Sequence, residues 1–273
     1  MLDARVCSCH ASSRPIPRVR AGAGVGALLA AVLLAGVAVG AVPADGQGRV
    51  FPGGAAAEDG PERDTVLVED FEQSRPGRFP DGWAFVTRGG GSRSYEESRD
   101  PGEQVVVRAA DGGRFVRLTT RGEVLRYTKR NGDDFKWDIE RHPRLAWRWR
   151  ALALPEGASE TGENDTGGAI YVTFGTDWLG RPLSIKYTYS SSLPTGTTVS
   201  FGTLQVVVVS SAAEDAPGHW KTVRRNVQAD YRRLFGEPPP SHTVAITIWS
   251  DSDTTGGRAT VDIDDLRLLP PRR

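Results

Sequence analysis

Four groupings in this sequence have residue types and spacings that could do chemistry. The first is paired carboxylates, which a glycosidase places on either side of the bond it cleaves. Asp133/Asp134, Asp138/Glu140, Glu163/Asp165 and Asp262/Asp264 qualify by spacing. On a strand, Asp138 and Glu140 share one face, as do Asp262 and Asp264. The same acids can instead pair with Arg148, Arg150 and Arg267, the commoner use of charge on a sheet face. The second grouping is an acidic loop. Counting Asp251 as position one, Asp253 is third, Thr255 fifth, Gly256 sixth and Asp262 twelfth. That approximates a calcium-loop spacing and nominates Asp251, Asp253 and Asp262 as ligands of a structural calcium ion. The fifth position carries no carboxylate and the flanks read as strands, so this is not an EF-hand. A hairpin turn with solvated aspartates is the alternative reading.

The third grouping is aromatic. Tyr171, Trp178, Tyr187, Tyr189 and Trp249 offer flat rings with polar edges, suited either to stacking on sugar rings or to packing a core. Trp178 sits in Gly175–Pro182, which reads as a loop and favours exposure. The fourth grouping is a pair of guanidiniums. In the alternating stretch Arg144–Leu152, Leu145, Trp147, Trp149 and Ala151 share one face, while Ala146, Arg148, Arg150 and Leu152 share the other. Two indoles can anchor a core, and Arg148 and Arg150 then face carboxylates, water or a ligand. Other chemistries lack support. His142, His219 and His242 have no metal-ligand spacing to one another. There is no Gly-x-Ser-x-Gly elbow, and no phosphate-binding glycine loop precedes a helix.

The elements that must position these groups are nearly all strands. The patterning predicts strands at 66–70, 83–87, 104–109, 115–119, 123–128, 144–152, 170–174, 183–189, 204–210, 220–227, 243–249 and 260–269. Asp111-Gly112-Gly113 is a hairpin turn. One short helix is expected over Ala229–Phe235, stopped by Gly236 and Pro238–Pro240. Many short strands bounded by turn residues predict an all-β fold, a jelly-roll-type antiparallel β-sandwich.

Composition and the N-terminus set the context. The 273 residues are 38% hydrophobic, enough for a real core, and 32 glycines and 18 prolines suit many turns. Arginine outnumbers lysine 30 to 4, which reflects a GC-rich genome. Residues 1–20 carry four arginines, residues 21–42 carry no charge, and Val42-Pro43-Ala44 ends in small residues. This is the pattern of a signal peptide cut after Ala44, with an uncleaved anchor in the inner membrane as the alternative. Residues 45–64 read as a disordered linker and 65–270 as the sandwich domain. Cleavage removes Cys7 and Cys9, the only cysteines, and leaves 30 basic against 33 acidic residues. That near balance gives no electrostatic footprint for nucleic acid.

Several blocks resemble a known family. Pro143–Arg150, Leu154–Ala158, Ala229–Pro239, Ser250–Gly257 and Asp262-Ile263-Asp264, with Glu69-Asp70-Phe71 and Gly82-Trp83, resemble the bacterial exported proteins grouped as domain of unknown function 3047. The resemblance spans about residues 66–270 and departs from the family pattern at Thr188–Gly202. It implies export but no activity. Glu69-Asp70-Phe71-Glu72 and Asp262–Leu266 also look like the terminal strands of carbohydrate-binding jelly rolls. That analogy implies a calcium site between first and last strands, using Glu69 or Asp70 with Asp262 or Asp264. The combined expectation is a periplasmic or secreted protein that binds a glycan or other envelope component without catalysis, with Arg148, Arg150 and Trp178 on the ligand. A polysaccharide-active glycosidase or lyase using Asp138 and Glu140 is one alternative. A structural module that binds envelope proteins is the other.

Overall fold

The computed structural model describes residues 64–86, 91–95, 104–110, 112–161 and 165–272. The expected signal peptide or anchor and almost all of the linker lie outside the described residues. Among the described residues no helix is long and apolar enough to cross a membrane.

Two six-stranded sheets face each other. The first sheet runs β12 (Lys221–Asn226), β7 (Arg144–Ala153), β14 (Arg258–Leu269), β5 (Gly113–Arg121) and β4 (Gln104–Ala110), with β1 (Val66–Glu69) also paired to β14. The second sheet runs β10 (Thr198–Phe201), β11 (Leu204–Ser211), β9 (Pro182–Ser190), β8 (Gly168–Thr176), β13 (Ala245–Asp251) and β6 (Val124–Arg130). A short pair, β2 (Phe85–Val86) and β3 (Ser92–Arg93), forms a two-stranded sheet beside β6, to which Ala84 is bridged at Thr128. The fold is thus the expected jelly-roll-type sandwich, antiparallel but for one pair: β9 and β11 run parallel, because β10 intervenes as an added strand.

β7 behaves as its alternation dictates. Trp147 and Trp149 point between the sheets and meet Tyr187 and Tyr189 of β9 at ring-centroid distances of 5.7 and 5.5 Å. Trp149 Nε1 donates to Ser210 Oγ at 3.0 Å, satisfying the indole inside the core. Arg148 and Arg150 emerge on the outer face.

β14 is the longest strand, and its break explains how two partners share one of its edges. β5 pairs with its first half, through Ile263, and β1 with its second half, from Leu266. Between them the register slips at Asp265, which adopts φ 52°. Such a bulge adds one residue and re-aims the chain. Val261 and Ile263 therefore face the core before it, Leu266 and Leu268 face the core after it, and Asp262 and Asp264 stay outside.

The expected helix is α1 (Val227–Phe235), two residues longer than the sequence suggested. Asn226 Oδ1 caps it by accepting from Ala229 N at 2.9 Å, and Gly236 ends it in the left-handed region at φ 77°.

Candidate functional site

The outer face of the first sheet is a charge ladder closed on itself. Asp262, 0% exposed, accepts from Arg117 Nε at 2.6 Å and Nη2 at 2.9 Å, and from Arg150 Nε at 2.7 Å. Arg148 reaches Asp264 through Nε at 2.9 Å and Nη2 at 2.7 Å, with Asp265 beside it at 3.3 Å. Trp220 lies against both guanidiniums, 4.6 Å from Arg148 and 4.7 Å from Arg150. Burial pushes the Asp264 carboxyl up to about 6, against the pull of Arg148. Arg148 and Arg150, expected on a ligand, are instead held by carboxylates on the neighbouring strand.

The acidic loop does not gather as a calcium site would require. Asp251 ends β13 in the second sheet and Asp262 lies on β14 in the first, so the two carboxylates sit on opposite outer faces. The connection between them crosses the sandwich and is not a hairpin. Asp253 is exposed, with Thr254 Oγ1 donating to it at 3.4 Å. Glu69 does not join Asp262 or Asp264 either: its carboxylate takes Lys129 Nζ at 2.7 Å and Trp83 Nε1 at 3.1 Å. Among the described residues no group of three His, Cys, Asp or Glu side chains is placed to hold a metal ion.

Asp138 and Glu140 lie in a turn and not on a strand. Asp138 Oδ1 accepts from the backbone N–H groups of Glu140 (2.9 Å) and Arg141 (3.3 Å), an Asx turn that reverses the chain before β7. With no strand there, the two acids do not share a strand face as the catalytic reading supposed.

The aromatic residues divide three ways. Tyr187 and Tyr189 are core. Trp178 is 89% exposed at the tip of the β8–β9 connection, with Leu179 also exposed beside it. Asp177 ties that tip by accepting from the backbone of Leu179 (3.0 Å) and Arg181 (2.8 Å) and from Arg181 Nε (2.8 Å). Tyr171 and Trp249 form the third set. Tyr171 alternates with inward Ile170 and Val172, and Trp249 follows inward Ile248, so both lie on the outer face of the second sheet. They are half-buried neighbours with ring centroids 4.9 Å apart and planes inclined by 36°.

Charged groups surround this pair. Arg126 of β6 lies 5.8 Å from the Trp249 ring and 4.8 Å from Phe85. Trp249 Nε1 donates to Asp251 Oδ2 at 2.8 Å, and Asp251 Oδ1 also accepts from the Thr166 backbone. Lys186 of β9 stands beside Tyr171 across the ladder, its ammonium 5.7 Å from the ring centroid. Lys186 is 2% exposed, and its ammonium makes no hydrogen bond or ion pair with a described residue. Burial lowers its pKa, offset in part by Asp251, Glu160 and Asp165 nearby.

Those carboxylates are engaged elsewhere. Glu160 accepts from the Thr188 and Ser190 hydroxyls at 3.0 and 2.6 Å. Burial alone would raise Asp165, but Thr255 and Thr254 donate to it and hold it below the usual carboxylate range. Burial raises Asp251. Burial, and then the Asp251 charge, push the Tyr171 hydroxyl well up, so it stays protonated and can donate.

Sequence reasoning passed over Lys186, Arg126 and Glu160. A signal for Lys186 exists: it alternates with Ile185 and Tyr187, and it is one of four lysines.

A family model described as Protein of unknown function (DUF3047) matches residues 92–267. No curated protein matches the chain. Among solved structures the chain is similar to the family 11 carbohydrate-binding module of the cellulosomal cellulase Lic26A-Cel5E of Clostridium thermocellum, with 12% identity and TM-score 0.38 over 76% of this chain and 95% of that one. It is similar to the family 30 module of the cellulosomal cellulase Cel9D-Cel44B of Clostridium thermocellum, with 11% identity and TM-score 0.41 over 76% and 99%. A carbohydrate-binding module studied for specific mannan recognition, TmCBM27, matches with 11% identity and TM-score 0.33 over 76% and 99%.

Proposed function

The chain belongs to the DUF3047 family, and from that premise we propose that it is a non-catalytic binding protein for a glycan of the cell envelope or its surroundings. The observation that carries this reading is the Tyr171–Trp249 pair on the outer face of the second sheet. A sugar ring offers a face of C–H groups and a rim of hydroxyls. Two neighbouring aromatic faces suit the first, and fixed donors and acceptors at their edges suit the second. Here the edges are Arg126 and Asp251 beside Trp249, and the Tyr171 hydroxyl with Lys186 beside Tyr171. Trp178 stands at an end of the adjoining strands β8 and β9 and serves as a separate, exposed stacking surface. Non-catalytic binding is preferred because the acids nominated for catalysis have other work: Asp138 orders a turn, and Asp262 and Asp264 hold arginines. We place this binding outside the cytoplasm, in the periplasm or beyond, on the signal-peptide pattern of residues 1–44.

The test is retention of the purified protein on a glycan array and on insoluble cell-wall polysaccharides. The native protein is expected to bind saturably and release no sugar. Trp249→Ala should abolish retention while circular dichroism stays native, since the side chain is half-buried on an outer face. Unchanged retention in that variant, or no retention on any glycan, overturns the reading. Sugar release by the native protein would replace it with an enzyme.

A further inference from the structure

A cleft of about 510 Å³ opens where three adjacent strands of the first sheet come to one end. Arg144 begins β7, and its register partners are Asn226 of β12 on one side and Leu269 of β14 on the other. Arg144, Arg224, Arg225 and Arg272 all line this cleft, and Glu140 is the one carboxylate among its lining residues. They arrive from separate segments: the first residue of β7, two positions on β12, and the chain beyond β14. Asp230 holds Arg225 through Nε at 3.0 Å and Nη2 at 2.7 Å, beside the core ring of Tyr187, so that guanidinium is already paired on the face of β12 opposite Arg224. Arg224 and Arg272 are exposed at the rim, and Arg144 is only 4% exposed.

Basic residues along a sheet edge often serve to discourage strand pairing with another molecule, and β12 is an edge strand. That device needs exposed charges on the edge itself. It does not account for Arg144, which belongs to an interior strand and is buried, nor for Arg272, which is on no strand. Arg144 and Arg224, which leave the same face of neighbouring strands, together with Arg272 give this concave space the arginine side chains that recognition of an oxyanion uses. The planar fork of arginine matches the two oxygens of a carboxylate or phosphate, and several forks fix its orientation. The volume falls within the range of small-ligand sites.

We propose that this cleft is a binding site for an oxyanion, the carboxylate or phosphate of a small acidic ligand or chain end. It is independent of the Tyr171–Trp249 face, so neither site's success or failure decides the other's.

The experiment is calorimetric titration of the purified protein with inorganic phosphate and, separately, with galacturonate, in low-salt buffer free of other oxyanions. Saturable one-to-one binding is expected for at least one probe, weakening as salt rises. The double variant Arg224→Ala/Arg272→Ala should raise the Kd at least about tenfold, a loss expected when charge-assisted contacts are removed. Both side chains are at the exposed rim, so the variant should keep the native melting curve. Arg232→Ala, an exposed arginine of α1 that does not line the cleft, should leave the Kd unchanged. Preference for phosphate assigns a phosphorylated ligand, and preference for galacturonate assigns a uronic acid. Absence of saturation with both probes overturns the site. So does a Kd indifferent to the double variant, or one that Arg232→Ala weakens equally.

Discussion

Asp262→Asn puts the charge ladder of the first sheet to a quantitative test. Asp262 is 0% exposed, and its three short bonds bind Arg117 and Arg150 from the strands on either side. Asparagine keeps the volume but removes the charge, and its amide can offer these donors only one acceptor oxygen. Stripping one partner from a buried pair costs about 3–5 kcal/mol, because the remaining charge is left uncompensated. Here two guanidiniums are left, but they are 26% and 17% exposed and recover part of their hydration. The lower end is therefore expected, about 3 kcal/mol. For a domain of roughly 200 residues that is a fall in Tm of about 6–12 °C. Urea unfolding followed by tryptophan fluorescence should show a lower midpoint at constant m-value. A cycle with Arg150→Met should return a coupling of at least about 1 kcal/mol. Destabilisation under about 1 kcal/mol with no coupling would refute the reasoning: the arginines would then satisfy themselves with water, and Arg150 would again be a candidate for contacting ligand.

Three further outcomes follow from other places in the fold. The folded pKa of Asp264, about 6, lies above its ordinary 3.8, so between these values the native state holds a proton that the unfolded chain has released. Its contribution is full below pH 4 and lost as pH rises through 6, by roughly 2–3 kcal/mol; Asp264→Asn should flatten that part of the stability profile in denaturant titrations at pH 4 and 6.5. Gly168→Ala should destabilise by about 1–3 kcal/mol, because a Cβ there would meet Val261 Cγ1 and Cγ2 of the opposite sheet at 2.8 and 2.9 Å. Asn226→Ala removes the cap of α1 and should cost about 1 kcal/mol in the same urea assay.

Alternation made one layer of this molecule legible in the sequence. Strand existence, the two faces of β7 and the short helix follow from period-two patterning and stop signals. The same parity separates inward Tyr187 and Tyr189, which continue from Ile185, from outward Tyr171 and Trp249. Alternation does not say which sheet a strand joins. Asp251 and Asp262 stand close in sequence with turn residues between, which reads as a hairpin, yet their strands belong to different sheets. The calcium reading failed on that point. Nor does local sequence announce β10, whose residues Thr198–Phe201 sit in a Ser- and Thr-rich stretch and are held by pairing with β11. The parallel register of β9 and β11 depends on it. Asp138 and Glu140 misled for a related reason: spacing of two implies a shared face only if the segment is extended, and Asp138 spends its carboxylate turning the chain.

The two outer faces solve the same electrostatic problem differently, and the difference bears on where a ligand belongs. On the first sheet, cations and anions alternate across strands: Asp262 meets Arg117 and Arg150, Arg148 meets Asp264, and Trp220 covers two of the guanidiniums. A ligand there would have to break pairs already made, and the cost of freeing a buried carboxylate exceeds what one new hydrogen bond returns. On the second sheet the acids are satisfied by hydroxyls, an indole and backbone N–H groups, whereas Lys186 has charged neighbours but no direct partner among the described residues. Among those residues hydrogen bonding is incomplete beside two half-buried aromatic rings. Binding at this face can add contacts without first dismantling any, which is why the proposed glycan site is assigned to the Tyr171–Trp249 face rather than to the better-charged face of Arg148 and Arg150.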